Sequence, residues 1–187
     1  MLYLISKTVI LNVVKDPTTT LHIKNEILRY TQNDNTVIIC KRGIIMKDKN
    51  CGYCMRGEIL EKFGLYICDL QVSSLILFKE QSKRGRCIVA YKDHVSEIVD
   101  ISDEERNLFF ADVARAAKAI HKVFKPDKLN YGAYGDGGCH LHMHLCPKYK
   151  GGDEWGSVFT MNPQKVYLTD EEYAKMIQDI KQALEKE

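Results

Sequence analysis

Three histidines fall on alternate positions in the run His140-Leu141-His142-Met143-His144-Leu145. Period two is the signature of a strand, because successive side chains of a β-strand point to opposite faces. The pattern predicts Leu141, Met143 and Leu145 turned to a core, with His140, His142 and His144 together on the other face. Neighbouring imidazoles are then about 6–7 Å apart along the chain. Gly135, Gly137 and Gly138 stand just before the run and allow a backbone loop to approach whatever the histidines face. Pro147 is expected to end the strand's donor pattern. Half of the chain's six histidines on one face of one strand mark a site.

At 187 residues the chain suits one domain, or one domain with an appendage, and 45% hydrophobic residues suffice for a core. A formal net charge of only +2 implies no strong polyelectrolyte partner, so stable nucleic-acid binding is not expected. The N-terminal apolar run is interrupted by Lys7 and lacks a cleavage site, which argues against a signal peptide. No stretch reaches the length of a membrane span. These features favour a cytoplasmic location. Seven cysteines form an odd set, and one pair has the spacing Cys51-Gly52-Tyr53-Cys54. In a non-secreted chain such a pair reads as metal-binding or redox-active before it reads as a disulfide. It has the spacing of a structural zinc half-site. His94, directly after a predicted strand, is a third candidate ligand, and one histidine of the triad strand completes a Cys2His2 set. No βαβ pattern surrounds the pair, which disfavours a thioredoxin-like redox role.

Residues 1–45 read as an N-terminal extension without chemistry. An apolar run over 1–14 is followed by a turn at 16–20, and Leu21, Ile23, Ile27 and Leu28 suit a short helix. Gln32-Asn33-Asp34-Asn35 breaks it, and 36–40 is strand-like. Residues 46–187, with Met46 as a plausible start, read as the site-bearing domain. Strands are expected over 65–70, 75–78, 86–91 and 129–134, with a glycine-containing hairpin loop at 81–85. Ser102-Asp103-Glu104-Glu105 and Thr169-Asp170-Glu171-Glu172 are capping boxes. The helices that follow carry Phe109, Val113, Ala116, Ile120 and Val123, and then Tyr173, Met176, Ile177, Ile180 and Leu184, at helical spacing. The expected architecture is α+β: an antiparallel sheet of about five strands with two main helices on one side.

The segment Asn130-Tyr131-Gly132, the loop 135–139, His140-x-His142-x-His144-x-x-Pro147 and the upstream strand ending in Lys92-Asp93-His94 resemble the histidine triad (HIT) family. The resemblance spans about residues 51–150. It implies a HIT-like α+β fold, a homodimer, and a nucleotide hydrolase or nucleotidyl transferase acting at an α-phosphate. By resemblance, His142 matches the nucleophile that forms a nucleotidyl-histidine intermediate, and His144 a residue on the phosphate oxygens. Asn130, with Gly137 and Gly138 of the loop, matches the substrate-binding positions. Cys51, Cys54, His94 and His140 match the structural zinc ligands of metal-containing members. The roles agree with the chemistry, since an imidazole with a pKa near 6.5 offers a free nitrogen at neutral pH. Asp136-Gly137 stands where many members carry a glutamine and a hydroxyl residue.

Two other functions fit the same residues. One takes His140 and His142 as ligands of a catalytic zinc in a metal-dependent hydrolase. The other is a zinc-stabilised nucleotide-binding module with little turnover.

Overall fold

The computed structural model describes residues 4–5, 8–9, 28–32, 35–40, 43–135, 139–152, 154–160 and 164–185, with side chains from residue 47 onward. In the N-terminal segment β1 (Leu4–Ile5) pairs with β2 (Thr8–Val9). Then β3 (Leu28–Gln32), β4 (Asn35–Cys40) and β5 (Gly43–Lys47) form an antiparallel three-stranded sheet. The strand expected at 36–40 is β4. Leu28, expected in a helix, instead pairs with Ile39 in β3. A partner strand two residues away, joined in register at Gln32 and Asn35, outcompetes a weak helical spacing. Positions 21–27 of that expected helix lie outside the described residues. Position 46 lies within β5, and the Lys47 ammonium donates to the carbonyls of Cys54 (3.3 Å) and Lys92 (3.4 Å).

Two short helices follow, α1 (Gly52–Met55) and α2 (Gly57–Glu61). The main sheet is built from β6 (Gly64–Asp69), β7 (Ser73–Phe78), β8 (Cys87–Tyr91), β9 (Lys128–Gly132) and β10 (His142–Lys148). Its order is β6-β7-β8-β10-β9, antiparallel throughout. Between β8 and β9 runs α3 (Asp103–Phe124), and α4 (Asp170–Glu185) ends the described chain. The helices α3 and α4 pack on each other; α3 covers β7, β8 and β10, and α4 covers β6. The sheet and its two helices therefore match the expected architecture. Among the described residues no helix is long and apolar enough to cross a membrane.

The helices start where their side chains cap them. Ser102 Oγ accepts from the Glu105 N–H at 3.2 Å, a bond worth about 1 kcal/mol. The reciprocal half of the expected box is missing, because the Glu105 carboxylate accepts from the Tyr91 hydroxyl at 2.6 Å instead. At α4 both halves form: Thr169 Oγ1 accepts from the Glu172 N–H, and the Glu172 carboxylate from the Thr169 N–H. Phe109, Val113, Ala116 and Ile120 bury the predicted stripe of α3. Asp112 on the same helix is also buried, and accepts from the Gln71 and Val72 N–H groups and the Ser73 hydroxyl. That cap ties α3 to the β6–β7 turn.

The two faces of the sheet are unequal. Leu75, Leu77, Val89, Leu141 and Leu145 join the large core under α3 and α4. The other face holds a smaller cluster of Leu60, Ile76, Ile88 and Ala90, with Tyr53, Phe63 and Phe78 against it. The β7–β8 hairpin closes through Gly85 at φ +86°, where an added Cβ would lie 2.7 Å from the Phe124 ring. No other residue type suits both the backbone and the space.

Candidate active site and metal centre

The register of β10 places the histidines. His142 lies opposite Ala90, and His144 lies between Ile88 of β8 and Gly132 of β9. Leu145 and Leu141 turn to the large core, so the imidazoles face the smaller cluster, as the alternation predicts. Two details differ from the expected strand. His140 precedes β10, because Leu141 bonds out of line: its N–H donates to the Val95 carbonyl and its carbonyl accepts from the Tyr91 N–H. Pro147 does not end the strand. Pairing with β8 has already stopped at Leu145, so the prolyl residue sits in register with Leu129 on β9 only.

Cys51, Cys54, His94 and His140 come together. Their four donor atoms lie within 4.8 Å of one another. Cys51 Sγ is 3.4 Å from His140 Nδ1, and Cys54 Sγ is 3.3 Å from His94 Nδ1 and 3.5 Å from His140 Nδ1. The two Nδ1 atoms are 3.4 Å apart. A tetrahedron with zinc–sulfur bonds of about 2.3 Å and zinc–nitrogen bonds of about 2.0–2.1 Å has such edges at about 3.3–3.6 Å. The donor set fits the ion. Its tautomers are set as well. His140 Nε2 is 2.8 Å from the Tyr91 carbonyl, which only accepts, so Nε2 carries the proton and Nδ1 faces the thiols with its lone pair. On the other side His94 Nε2 is 3.9 Å from the Asp48 carboxylate. A hydrogen bond from Cys54 pushes the Cys51 thiol well below the ordinary thiol range, against the effect of burial, with His140 adding to the fall. Cys54 is pushed up correspondingly, first by sharing its proton with Cys51 and then by burial.

His142 is buried and stacks on the Tyr53 ring, with centroids 4.9 Å apart. Its Nδ1 is 2.7 Å from the His140 carbonyl, so Nδ1–H donates there and Nε2 keeps a lone pair. Burial is the largest influence on its pKa and lowers it, opposed by that backbone bond. His144 is pushed down to about 3 by burial and then by the charge of Arg86, whose Nη2 is 3.2 Å from His144 Nδ1. The rings of His142 and His144 are nearly perpendicular, 5.2 Å apart. Together they offer one nitrogen nucleophile and one neutral neighbour on a water-poor face.

Asn130 is placed two register positions beyond the His144–Gly132 pair, opposite Cys146. There it lines a cavity of about 340 Å³ with Lys128, Lys148, Trp155, Gly156 and Ser157. Gly137 and Gly138 lie outside the described residues. Glu80 is occupied structurally: one carboxylate oxygen accepts from the Ser82 and Val166 N–H groups. Sequence reasoning missed Tyr53, Arg86 and Phe159. Tyr53 sits inside the C-x-x-C pair, where attention goes to the thiols. Arg86 had a readable signal, for it stands two places before Ile88, on the histidine-facing side of a strand otherwise apolar through Cys87–Tyr91. Phe159 has none, being brought in by the loop after β10.

Residues 67–151 match the family model of the HIT domain. A protein named "Protein hit" from Bacillus subtilis (strain 168) is 32% identical over 84 residues, covering 42% of this chain and 58% of that protein. The chain thus spans less than two thirds of that relative's length. Among solved structures, a histidine triad protein from Bradyrhizobium japonicum superposes with a TM-score of 0.63 at 20% identity, covering 71% of this chain and 98% of that one. A Zn-bound histidine triad family protein from Mycobacterium smegmatis gives a TM-score of 0.50 at 20% identity, covering 66% and 85%. With His142 and His144 on one strand of an antiparallel five-stranded sheet and His140 just before it, residues 67–151 match the HIT domain, and the chain shares the fold of the solved histidine triad proteins.

Proposed function

We propose that this protein is a nucleotide hydrolase that acts at an α-phosphate through a nucleotidyl-His142 intermediate, on nucleoside phosphoramidates or dinucleoside polyphosphates. The observation that carries the reading is the bond from His142 Nδ1–H to the His140 carbonyl, which leaves Nε2 as a fixed lone pair. That nitrogen forms the N–P bond as the bond from phosphorus to the leaving group breaks, its electron pair departing with the leaving group. Water then forms the P–O bond, the N–P pair returns to Nε2, and the water's proton passes to solvent. His144 and the loop N–H groups of Gly137 and Gly138 stabilise charge on the phosphoryl oxygens, with Asn130 further along the same face. If the second acceptor is a phosphate or sugar phosphate, the same first step makes a transferase.

Cys51, Cys54, His94 and His140 would hold zinc, which supplies a cross-link between the Cys loop and the histidine strand. All four tetrahedral positions are taken by protein donors, so the geometry favours a structural ion over the catalytic-zinc reading. The same reading takes the protein to be a cytoplasmic homodimer, which sedimentation can check.

The test is incubation with adenylated and guanylated phosphoramidates and dinucleoside polyphosphates, followed by intact-mass measurement after acid-free quenching. A mass increase of one nucleotidyl group and release of the mononucleotide are expected. Tight binding without adduct or turnover would favour a nucleotide-binding module instead. The domain proposal has its own test. The strands of the site-bearing sheet all come from residues between 64 and 148. A chain shortened to begin at Met46 is therefore expected to stay soluble and to keep full turnover, although the cut falls within β5. Loss of solubility or kcat/KM would show that the first 45 residues belong to the domain.

A further inference from the structure

Arg86 is the largest side chain buried without exposure in the described structure. Its backbone is pinned on both sides: its N–H donates to the Lys83 carbonyl, and its own carbonyl accepts from the Phe78 N–H and the Gln81 amide. The guanidinium lies 4.2 Å from the centre of the Phe78 ring and 5.1 Å from that of Phe159. A flat, weakly hydrated cation suits such aromatic faces, where an ammonium would not. From that position Nη2 meets His144 Nδ1 at 3.2 Å.

A guanidinium has donors only and does not lose its proton in a protein. His144 Nδ1 must therefore be the acceptor, and the ring's single proton sits on Nε2, on the side away from Arg86. A second proton on Nδ1 would set two N–H groups against each other. We propose that Arg86 is a positioning residue, holding His144 as the neutral Nε2–H imidazole so that it serves only as a hydrogen-bond donor to the phosphoryl oxygens. This rests on the α-phosphate reading given above, which supplies the donor's target.

The consequence for the reaction is specific. While His142 Nε2 forms the N–P bond and the leaving group departs with its electron pair, His144 Nε2–H donates to a non-bridging oxygen and transfers no proton. Burial and the adjacent cation both disfavour an imidazolium, so the donor keeps one form through the neutral range. A neutral side chain without a donor at position 86 would leave the imidazole free to exchange its two tautomers, whereas a lysine, also a donor only, would hold them in part.

The experiment combines 15N NMR of the histidine rings of the full chain with kinetics of Arg86→Met and Arg86→Lys. In the unaltered protein His144 is expected to show an unprotonated Nδ1 and a protonated Nε2 throughout the neutral range. Arg86→Met is expected to give a mixture of tautomers and a kcat lower by about 10²-fold with KM little changed, the scale of losing one preorganised donor. Arg86→Lys, which restores a cation, recovers part of that loss. A His144 proton on Nδ1 in the unaltered protein overturns the proposal, and so does a folded Arg86→Met protein with unchanged kcat. If Arg86→Met fails to fold, the ring spectrum of the unaltered protein and the lysine variant decide the matter. If no nucleotide compound is turned over at all, the proposed function fails, while the ring spectrum still decides whether Arg86 fixes the tautomer.

Discussion

Replacing His142 with alanine is expected to lower kcat by about 10³-fold or more while nucleotide binding changes only a few-fold, because in the proposed reaction it removes the group that makes the covalent bond. The imidazole contacts the Tyr53 ring and the His140 carbonyl, and neither carries the large core. The variant should therefore fold, and its circular dichroism serves as the control. Steady-state turnover and intact mass give the readout. A nucleotidyl adduct that persists in His142→Ala would move the nucleophile to another residue.

Removing the metal ligands is expected to act on stability first and on chemistry second. An ion that binds the folded chain at about a thousand times its dissociation constant stabilises it by about 4 kcal/mol. For a chain of this size that corresponds to a melting temperature about 10 °C higher. Cys54→Ser, which deletes the buried thiol in contact with both His94 and His140, should lose most of that shift and about one zinc per chain. Metal analysis and thermal unfolding of protein purified without chelators test this. Fully folded, active protein that contains no zinc would refute the four-ligand assignment. Residual activity in the serine variant, measured well below its melting temperature, separates a structural ion from a catalytic one.

Much of this was legible in the residues because periodicity reports side-chain direction within a single element. The alternation from His140 to Leu145 told which face each residue takes, and the stripes on α3 and α4 told which sides are buried. The pair Cys51 and Cys54 was readable for a similar reason, as local spacing. What could not be read is which elements lie opposite one another. Phe159 reaches Arg86 only because the loop after β10 folds back, its Glu154 paired with Lys83 at 2.9 Å. Glu105 abandons its capping bond because Tyr91, fourteen residues away, offers a hydroxyl. Leu28 joins a strand because a partner lies two residues beyond its own segment. For Glu105 a contact from elsewhere outweighed a local capping preference of about 1 kcal/mol, and for Leu28 pairing with the next strand outweighed a weak helical spacing.

Cys51 and His140 touch across 89 positions of chain. Closing a loop of that length is entropically unfavourable, and contacts so remote in sequence form slowly compared with the neighbouring hairpin of β7 and β8. The β7–β8 pair needs no such closure, whereas α3 meets α4 across 69 positions, where Arg115 donates to the Leu184 carbonyl. A newly made chain is therefore expected to pair β7 with β8 before the Cys loop reaches the histidine strand. Until it does, the Tyr53 ring that stacks on His142 in the folded chain is not yet in place. Under the proposed function, activity is then expected to return late in refolding, and sooner when zinc is present in excess.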